Sequence, residues 1–493
     1  MELFSLSPRK KESISLLKER DELPFSQLSK DQIWSGVKLI FNATFSSSLS
    51  LLCVFIVNLI SLAYISNLKD AAMIGGIGLG FVCSNCCAYI LITSIDQGVN
   101  ALAAQAHGGN RPDLVALNYH RGLLIQLIII IPIFLALGFT KEFLVFFGID
   151  PVVAQHAWDY IKFAYPSFVF YGIFDATKSY LFAQKIFSPI LKIQFGTMIL
   201  HIFWSWLFIE KLGMGPAGAG IAKNIFELFN LVLLILYIKK TNCCQASWVP
   251  LAQIDWKNTV AETEGIKKFV SFTIPIAAIL FLDMACYEVF SILAGQFDEN
   301  QLAVHVAVAN SATLFYSLPL GLSIAIMTYV SHAMGAGQIN KAKNYTYCGI
   351  VVDIIFTIVF LIFTWIFRSN WAELFSANEE TKHLLLGVLN IYLAMIFFDG
   401  IQVSLSGTLK GIGKQNAATV GMIVSYYFVA LPLIYLLAFE LDMQVKGIWL
   451  GFLTGIVALL IIYLIILKKT NFRAQAKTLS KHLDNEIELA EKI

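Results

Sequence analysis

The chain has 493 residues, 57% of them hydrophobic and only 14% charged, and its formal net charge is +2. A soluble protein of this length has about a quarter of its residues charged, so the composition excludes an ordinary soluble protein. The basic residues form no single surface, which excludes a nucleic-acid partner. Apolar stretches of about 20 residues or more, the length of a membrane-crossing α-helix, separate short charged clusters. Because these stretches are continuous rather than alternating, they predict an all-α membrane protein and not a β-barrel.

Twelve membrane-spanning helices are predicted, joined by mostly short polar connections. In chain order they are expected near residues 36–64, 71–95, 119–139, 157–184, 189–209, 216–238, 266–295, 302–330, 345–367, 383–409, 415–438 and 444–467. The predicted divisions are a tail over 1–33, six-helix lobes over 34–238 and 266–467, an inter-lobe loop over 239–265 and a charged tail over 468–493. Because the first of these tails is polar and charged, no cleavable signal peptide is expected.

Lysine and arginine are concentrated on one side of the predicted helices. One set of connections is rich in both residues, the alternate set holds few, and the two tails belong to the basic set. Since basic connections face the cytosol, both termini are predicted to be cytosolic, which an even number of spans also requires. The membrane is expected to be the plasma membrane or that of a vacuole or another organelle.

Two glycine-containing motifs recur at nearly the same separation along the chain. Residues 106–110 after the second span resemble 333–337 after the eighth, and 212–214 before the sixth span resemble 441–443 before the twelfth. These offsets predict two parallel six-span repeats, related by an axis along the membrane normal. Transporters built in this way commonly bind their ligands at the interface between the repeats.

Ionisable side chains within the spans carry the functional hypothesis, because a charge near the bilayer centre costs at least about 2.5–3.5 kcal/mol. Asp283 and Glu288 in the seventh span and Asp399 in the tenth have no basic residue within one helical turn. Tyr287, at i+4 from Asp283, is placed to donate a hydrogen bond to it. Gln402, one turn after Asp399, is expected to share its cavity. Unpartnered carboxyl groups suit proton uptake and release near neutral pH, and the alternative is a set of protonated structural acids.

The remaining polar residues of the spans are interpreted as mainly structural. Asp175 in the fourth span has Lys178 at i+3, so an ion pair and a functional role are equally open. Lys223 and Glu227, spaced i,i+4 in the sixth span, are predicted to form a structural pair. The eight cysteines lie mostly in apolar runs, without the spacing of a zinc site. Neither an enzyme active site nor a metal or cofactor site is expected.

Several motifs resemble those of the MATE family of multidrug and toxin extruders. Leu282-Asp283-x4-Glu288 is similar to Leu-Glu-Trp-Trp-x-x-Glu in the seventh helix of eukaryotic members, and residues 398–415 resemble the tenth-helix pattern. The sequence at 105–108 is similar to the family's Gln-Ala-Tyr-Gly, and 331–337 resembles its counterpart after the eighth helix. Gln184-x4-Pro189 fits the junction between helices four and five.

This resemblance implies a V-shaped pair of pseudo-symmetric six-helix lobes with a central cavity. It also implies a monomeric secondary antiporter that exchanges protons, or in second place sodium ions, for organic cations and other amphipathic compounds across the lipid bilayer. Asp283 and Asp399 match acids tied to coupling or substrate binding, and Glu288 matches a further acid of animal members. Asn58 replaces the first-helix acid of many bacterial members, and Asn100 replaces an acid of eukaryotic ones. Coupling is therefore expected in the C-terminal lobe.

Two alternatives keep the membrane architecture and change the function. A lipid-linked sugar flippase of the same superfamily would need basic residues for a pyrophosphate, whereas the buried basic candidates, Lys178 and Lys223, each have an acid within one turn. A structural subunit of a membrane complex is compatible with Asn58 and Asn100, but three unpaired acids in the other lobe argue against it. Asp175 and Asn58 are retained as secondary site candidates.

Overall fold

Long α-helices make up nearly all of the computed structural model, which describes residues 22–249, 254, 256, 260–375 and 379–491. Their bounds are α1 Lys30–Asn67, α2 Ala71–Gly108, α3 Pro112–Gly138, α4 Pro151–Ala183, α5 Ser188–Lys211, α6 Gly215–Thr241, α7 Thr263–Ala294, α8 Glu299–Gly335, α9 Ile339–Phe375, α10 Glu379–Gly411, α11 Gln415–Glu440, α12 Gln444–Lys469 and α13 Phe472–Glu491. A short helix, Thr140–Phe146, follows α3. The prediction of an all-α membrane protein is confirmed.

Eleven of the described helices are long and apolar enough to cross a membrane. The other member of the predicted series, α4, is 33 residues long and carries four charged residues, which lower its hydropathy. These are Asp159, Lys162, Asp175 and Lys178. The protein is thus a multi-pass integral membrane protein, and its helix count is consistent with the predicted twelve.

Aspartates define where several helices begin. Asp70 precedes α2, and its Oδ1 accepts a hydrogen bond from the backbone N–H of Ala72 at 2.9 Å. Asp150 precedes α4 and accepts from the backbone N–H of Val152 at 2.8 Å, while Pro151 occupies the first helical position. Such caps satisfy N–H groups that have no partner inside the helix, which matters most where water is scarce.

The chain folds as two compact units, and the divisions fall inside three helices, α1, α7 and α13. The first unit contains Leu49–Ala277, and the second contains Ala278–Lys481 together with α1 as far as Ser48. Within the second unit, the hydroxyl of Ser47 donates to the carbonyl of Gly321 at 2.8 Å. This contact attaches the first half of α1 to α8. The boundary between the units therefore falls within α1 and not in a loop.

Each unit uses the same backbone turns at corresponding positions. Residues with positive φ recur at offsets of 227 to 229, in the pairs Asn110 and Gly337, Lys185 and Gly413, Gly213 and Asp442, and Gly215 and Gln444. A π-helical segment precedes the last two pairs in each unit, at Trp206–Lys211 and Leu436–Glu440. Left-handed conformations are unfavourable for most non-glycine residues, so their recurrence supports the predicted repeat.

The C-terminal helix α13 is amphipathic and lies against the second unit. Its apolar residues Phe472, Ala476 and Leu479 are buried, and the Nε2 atom of Gln475 donates to the carbonyl of Gly413 at 3.4 Å. The ammonium of Lys343 lies 5.2 Å from the ring centroid of Phe472. The charged tail predicted over 468–493 therefore contains an ordered, docked helix.

Close packing of α8 against α10 depends on Gly407. A Cβ atom there would lie 2.5 Å from the backbone oxygen of Ser323, so Gly407→Ala is expected to cost about 1–3 kcal/mol in unfolding free energy. The matched control is Gly196→Ala, because Gly196 has open space around its Cα and alanine favours the helix by about 0.5–1 kcal/mol. Thermal unfolding of the purified variants measures both, and an unchanged melting temperature for Gly407→Ala would contradict the packing argument.

Candidate functional site

A cavity lies within the second unit, between α7, α8, α9 and α10. Six of its sixteen lining residues are aromatic, namely Tyr287, Phe315, Tyr316, Phe356, Phe360 and Tyr392. Two carboxylates, those of Asp353 and Asp399, contribute to the same lining. A largely apolar cavity with a few polar groups is the usual form of a small-molecule site.

Asp399 lies on α10, where the sequence predicted a functional acid. Its Oδ1 atom accepts a hydrogen bond from Nε2 of Gln402 at 3.1 Å. Gln402 is itself buried and is not among the residues that line the cavity. Its hydrogen bond therefore reaches the carboxylate from the protein interior and not from the cavity. The amide donor orients Asp399 without neutralising its charge.

Asp353 on α9 is a second acid of the cavity, and the sequence analysis missed it. Its side chain is 3% exposed, and its Oδ2 atom has no hydrogen-bond partner among the described residues. The carboxylate packs on the backbone of Gly400, where a Cβ atom would overlap it. The sequence pattern that identified the other acids also applies to Asp353, because it stands in the apolar run 349–355 without a basic neighbour.

Asp283 is buried on α7, one layer behind the cavity wall. Its Oδ2 atom accepts a hydrogen bond from the hydroxyl of Tyr316 on α8 at 2.9 Å, and Tyr316 lines the cavity. The buried ammonium of Lys410 on α10 attracts the carboxylate of Asp283 electrostatically. Asp283 thus meets the cavity through Tyr316, and it repels Asp399 electrostatically.

The predicted hydrogen bond from Tyr287 to Asp283 is wrong. The Tyr287 ring packs edge-on against Phe452, with ring centroids 5.1 Å apart, and no hydrogen bond joins Tyr287 to Asp283 among the described residues. The hydroxyl that Asp283 accepts from comes instead from the neighbouring helix. Tyr287 lines the cavity and in that sense belongs to the candidate site.

Two further predicted residues, Glu288 and Asn58, do not belong to the cavity lining. Glu288 is exposed, on a different face of α7 from Asp283, because five residues turn a helix through about 140°. Asn58 is partly buried on the part of α1 that belongs to the first unit. Neither residue is among those that line the cavity.

The first unit has a buried polar cluster of its own. Asp175 forms the ion pair with Lys178 that the sequence left open as one of two readings. Asp96 on α2, which the sequence analysis missed, is fully buried beside Asp175, and the amide of Gln126 on α3 donates to it. The predicted pair Lys223 and Glu227 is also formed, at 3.3 Å.

Comparison with known proteins identifies the family. The family model MatE matches the chain twice, over residues 47–207 and 275–436, which together make up about two thirds of its length. The chain belongs to the MatE family. The two matches begin 228 residues apart, so they coincide with the repeat predicted from the glycine motifs.

Full-length relatives extend this assignment beyond the matched segments. Protein DETOXIFICATION 16 of Arabidopsis thaliana is 26% identical over 458 residues, covering 92% of this chain and 91% of its own. Multidrug and toxin extrusion protein 1 of Xenopus tropicalis is 24% identical and covers 94% of this chain and 79% of its own. The crystal structure of the eukaryotic MATE transporter AtDTX14 aligns with a TM-score of 0.82 at 22% identity, covering 92% of this chain and 99% of that one. The resemblance to MATE proteins is confirmed.

The buried bases differ from those expected in this MatE chain. The sequence analysis considered only Lys178 and Lys223, whereas Arg121 and Lys410 are also buried, at 3% and 2% exposure. Lys410 lies in the last turn of α10, is buried and attracts Asp283 electrostatically. Among the described residues of the second unit, the three acids Asp283, Asp353 and Asp399 are thus accompanied by one buried lysine, Lys410.

Proposed function

We propose that the chain is a secondary active antiporter that exports organic cations or other amphipathic compounds in exchange for protons. Relatives covering most of its length include proteins named for multidrug and toxin extrusion. The observation that carries the proposal is the aromatic cavity lined by Asp353 and Asp399, neither of which forms an ion pair with a described residue. An organic cation supplies both the charge and the apolar surface that such a cavity accepts.

Proton and substrate compete for the same carboxylates in this mechanism. In a cavity of low polarity a carboxyl group is favourable either protonated or paired with a cation, and unfavourable as a bare charge. A cationic substrate that binds Asp399 therefore displaces its proton, and a returning proton displaces the substrate. Each ligand must also favour a different arrangement of the protein, because only differential affinity can drive a conformational change.

Tyr316 connects Asp283 with the cavity. The Tyr316 hydroxyl donates to Asp283 and its ring forms part of the wall, so a change in the charge of Asp283 alters the surface that meets the substrate. Lys410 offsets part of the charge of Asp283. We assign Asp399 the direct contact with substrate or proton and Asp283 a coupled role behind it.

The test of this function is efflux of a fluorescent organic cation from proteoliposomes of the purified protein. An imposed pH gradient is expected to drive efflux, and a sodium gradient of equal size at constant pH is expected to drive little. Liposomes without protein report leakage. Efflux driven by sodium alone would replace the proton by sodium, and efflux driven by neither gradient would overturn the proposal.

A flippase for lipid-linked sugars is the weaker alternative. Its pyrophosphate would need buried cations, but Lys178 and Lys223 are each paired with an acid and Lys410 is attracted to Asp283, which leaves Arg121 as the further buried base. The cavity of the second unit carries acids on its walls. An acidic cavity repels a pyrophosphate, so the observed charges favour a cationic substrate.

Both termini are proposed to face the cytosol, because the connections on their side of the helices carry most of the lysine and arginine. A small tag after residue 493 is expected to be labelled only when the plasma membrane is permeabilised. A tag introduced at 211–213, between α5 and α6, serves as the control for the opposite side. Labelling of the C-terminal tag in intact cells would contradict this orientation.

A further inference from the structure

Asp353 is a buried acid of the cavity to which the proposed exchange at Asp399 gives no role of its own. Of the three acids of the second unit, Asp283 has Tyr316 and Lys410, and Asp399 has Gln402. For Asp353 the structure shows no comparable partner among the described residues. Its Oδ2 atom is buried without a hydrogen-bond partner there. A buried acceptor of this kind in a cavity wall is a place where a ligand is expected to bind.

Gly400 shows that this position is built into the cavity. The carboxylate of Asp353 rests on Gly400, the residue next to Asp399, and any larger residue there would displace it. The two acids therefore share one wall region and repel each other electrostatically. Within the part of the chain that the structure describes, neither acid forms an ion pair.

A ligand with a single positive charge leaves one of these two carboxylates uncompensated. A buried charge without a partner is unfavourable, so the second carboxyl must keep a proton when a monocation binds. A ligand with two cationic groups compensates both carboxylates at once. The surrounding aromatic rings can stack on a flat cation and attract its positive charge.

We propose that Asp353 makes the cavity selective for organic dications over monocations of the same shape. This inference rests on the proposed function, since it assigns the substrate class of the same cavity. Asp353 acts as a specificity-determining residue, while Asp399 is sufficient to hold one cationic group. Aromatic rings line the cavity beside both carboxylates, so a flat aromatic cation can contact the rings and the acids together.

Two probes of nearly identical shape and fixed charge test the inference. Methyl viologen is a dication of two linked aromatic rings, and N-methyl-phenylpyridinium is its two-ring monocationic analogue. Calorimetric titration of the wild-type protein in lipid nanodiscs is expected to show at least about tenfold tighter binding of the dication. In Asp353→Asn, affinity for the dication is expected to fall to that of the monocation, whose own affinity stays within about twofold.

Controls separate this inference from the proposed function. Glu379→Gln, which removes an exposed acid near the start of α10, is expected to keep the wild-type ratio of the two affinities. Equal binding of both probes by the wild type, or an unchanged ratio in a folded Asp353→Asn, would overturn the selectivity and leave the antiport proposal intact. Failure of the wild type to bind either probe would overturn both. The wild-type comparison decides even if the variant does not fold.

Discussion

Asp399→Asn and Asp283→Asn are each expected to lower pH-driven efflux by at least about tenfold at equal protein level. Asp399 lines the cavity and is the carboxylate for which substrate and proton compete, so its neutral isostere binds neither ligand by charge. Asp283 reaches the cavity through the hydrogen bond from Tyr316, so its loss removes the coupled partner. The measurement is the initial rate of probe efflux from proteoliposomes with an inside-alkaline gradient, in which inward proton flux drives the probe outward.

Two control variants distinguish coupling from a general loss of charge. Glu379→Gln removes an exposed acid of α10 and is expected to transport at the wild-type rate. Asp175→Asn is expected to keep most of its coupling once its rate is corrected for folded protein, because Asp175 is paired with Lys178 in the first unit. Full transport by both Asp399→Asn and Asp283→Asn would contradict the acidic mechanism, whereas no pH-driven efflux by the wild type would favour a structural subunit without transport activity.

Helix positions were predictable because lipid imposes a simple rule on sequence. A spanning segment must satisfy its backbone internally and expose apolar side chains, so continuous apolar runs reveal helices directly. The rule failed to predict the end of a helix whose polar residues are buried within the protein. The second span was predicted to end near residue 95, yet α2 continues to Gly108, and its polar residues Asp96, Gln97 and Asn100 are buried. Polar residues inside a helix bundle resemble a loop when hydropathy alone is considered.

The candidate site was only partly accessible to sequence reasoning. Asp399 and its neighbour Gln402 were found, because the hydrogen bond between them lies within one helical turn. The partner of Asp283 was not, since Tyr316 lies on another helix and packing decides which hydroxyl reaches the carboxylate. Asp353 met the criterion used for the other acids and was overlooked. Its position beside Gly400 depends on how α9 packs on α10, and no local pattern encodes that contact.

The ion pair of Lys223 and Glu227 gives the largest expected effect on stability. Their side chains are 3% and 1% exposed, and the Lys223 ammonium lies 3.3 Å from a Glu227 oxygen. Glu227→Gln keeps the shape but leaves the ammonium buried without its counter-ion, which is expected to cost about 3–5 kcal/mol. The rings of Tyr89 and Phe226, with centroids 5.4 and 5.2 Å from the ammonium, recover only part of that energy.

Removing both charges separates the electrostatic cost from the packing. The double variant Lys223→Met with Glu227→Leu replaces the pair by apolar side chains of similar volume, and such replacements are commonly neutral or stabilising by about 1–4 kcal/mol. Its melting temperature is therefore expected to lie close to or above that of the wild type, while Glu227→Gln alone melts several degrees lower. Thermal unfolding of both variants and the wild type in the same detergent measures these melting temperatures. If Glu227→Gln were as stable as the wild type, Lys223 would not be held as a charged partner, and the pair would contribute no electrostatic stabilisation to the first unit.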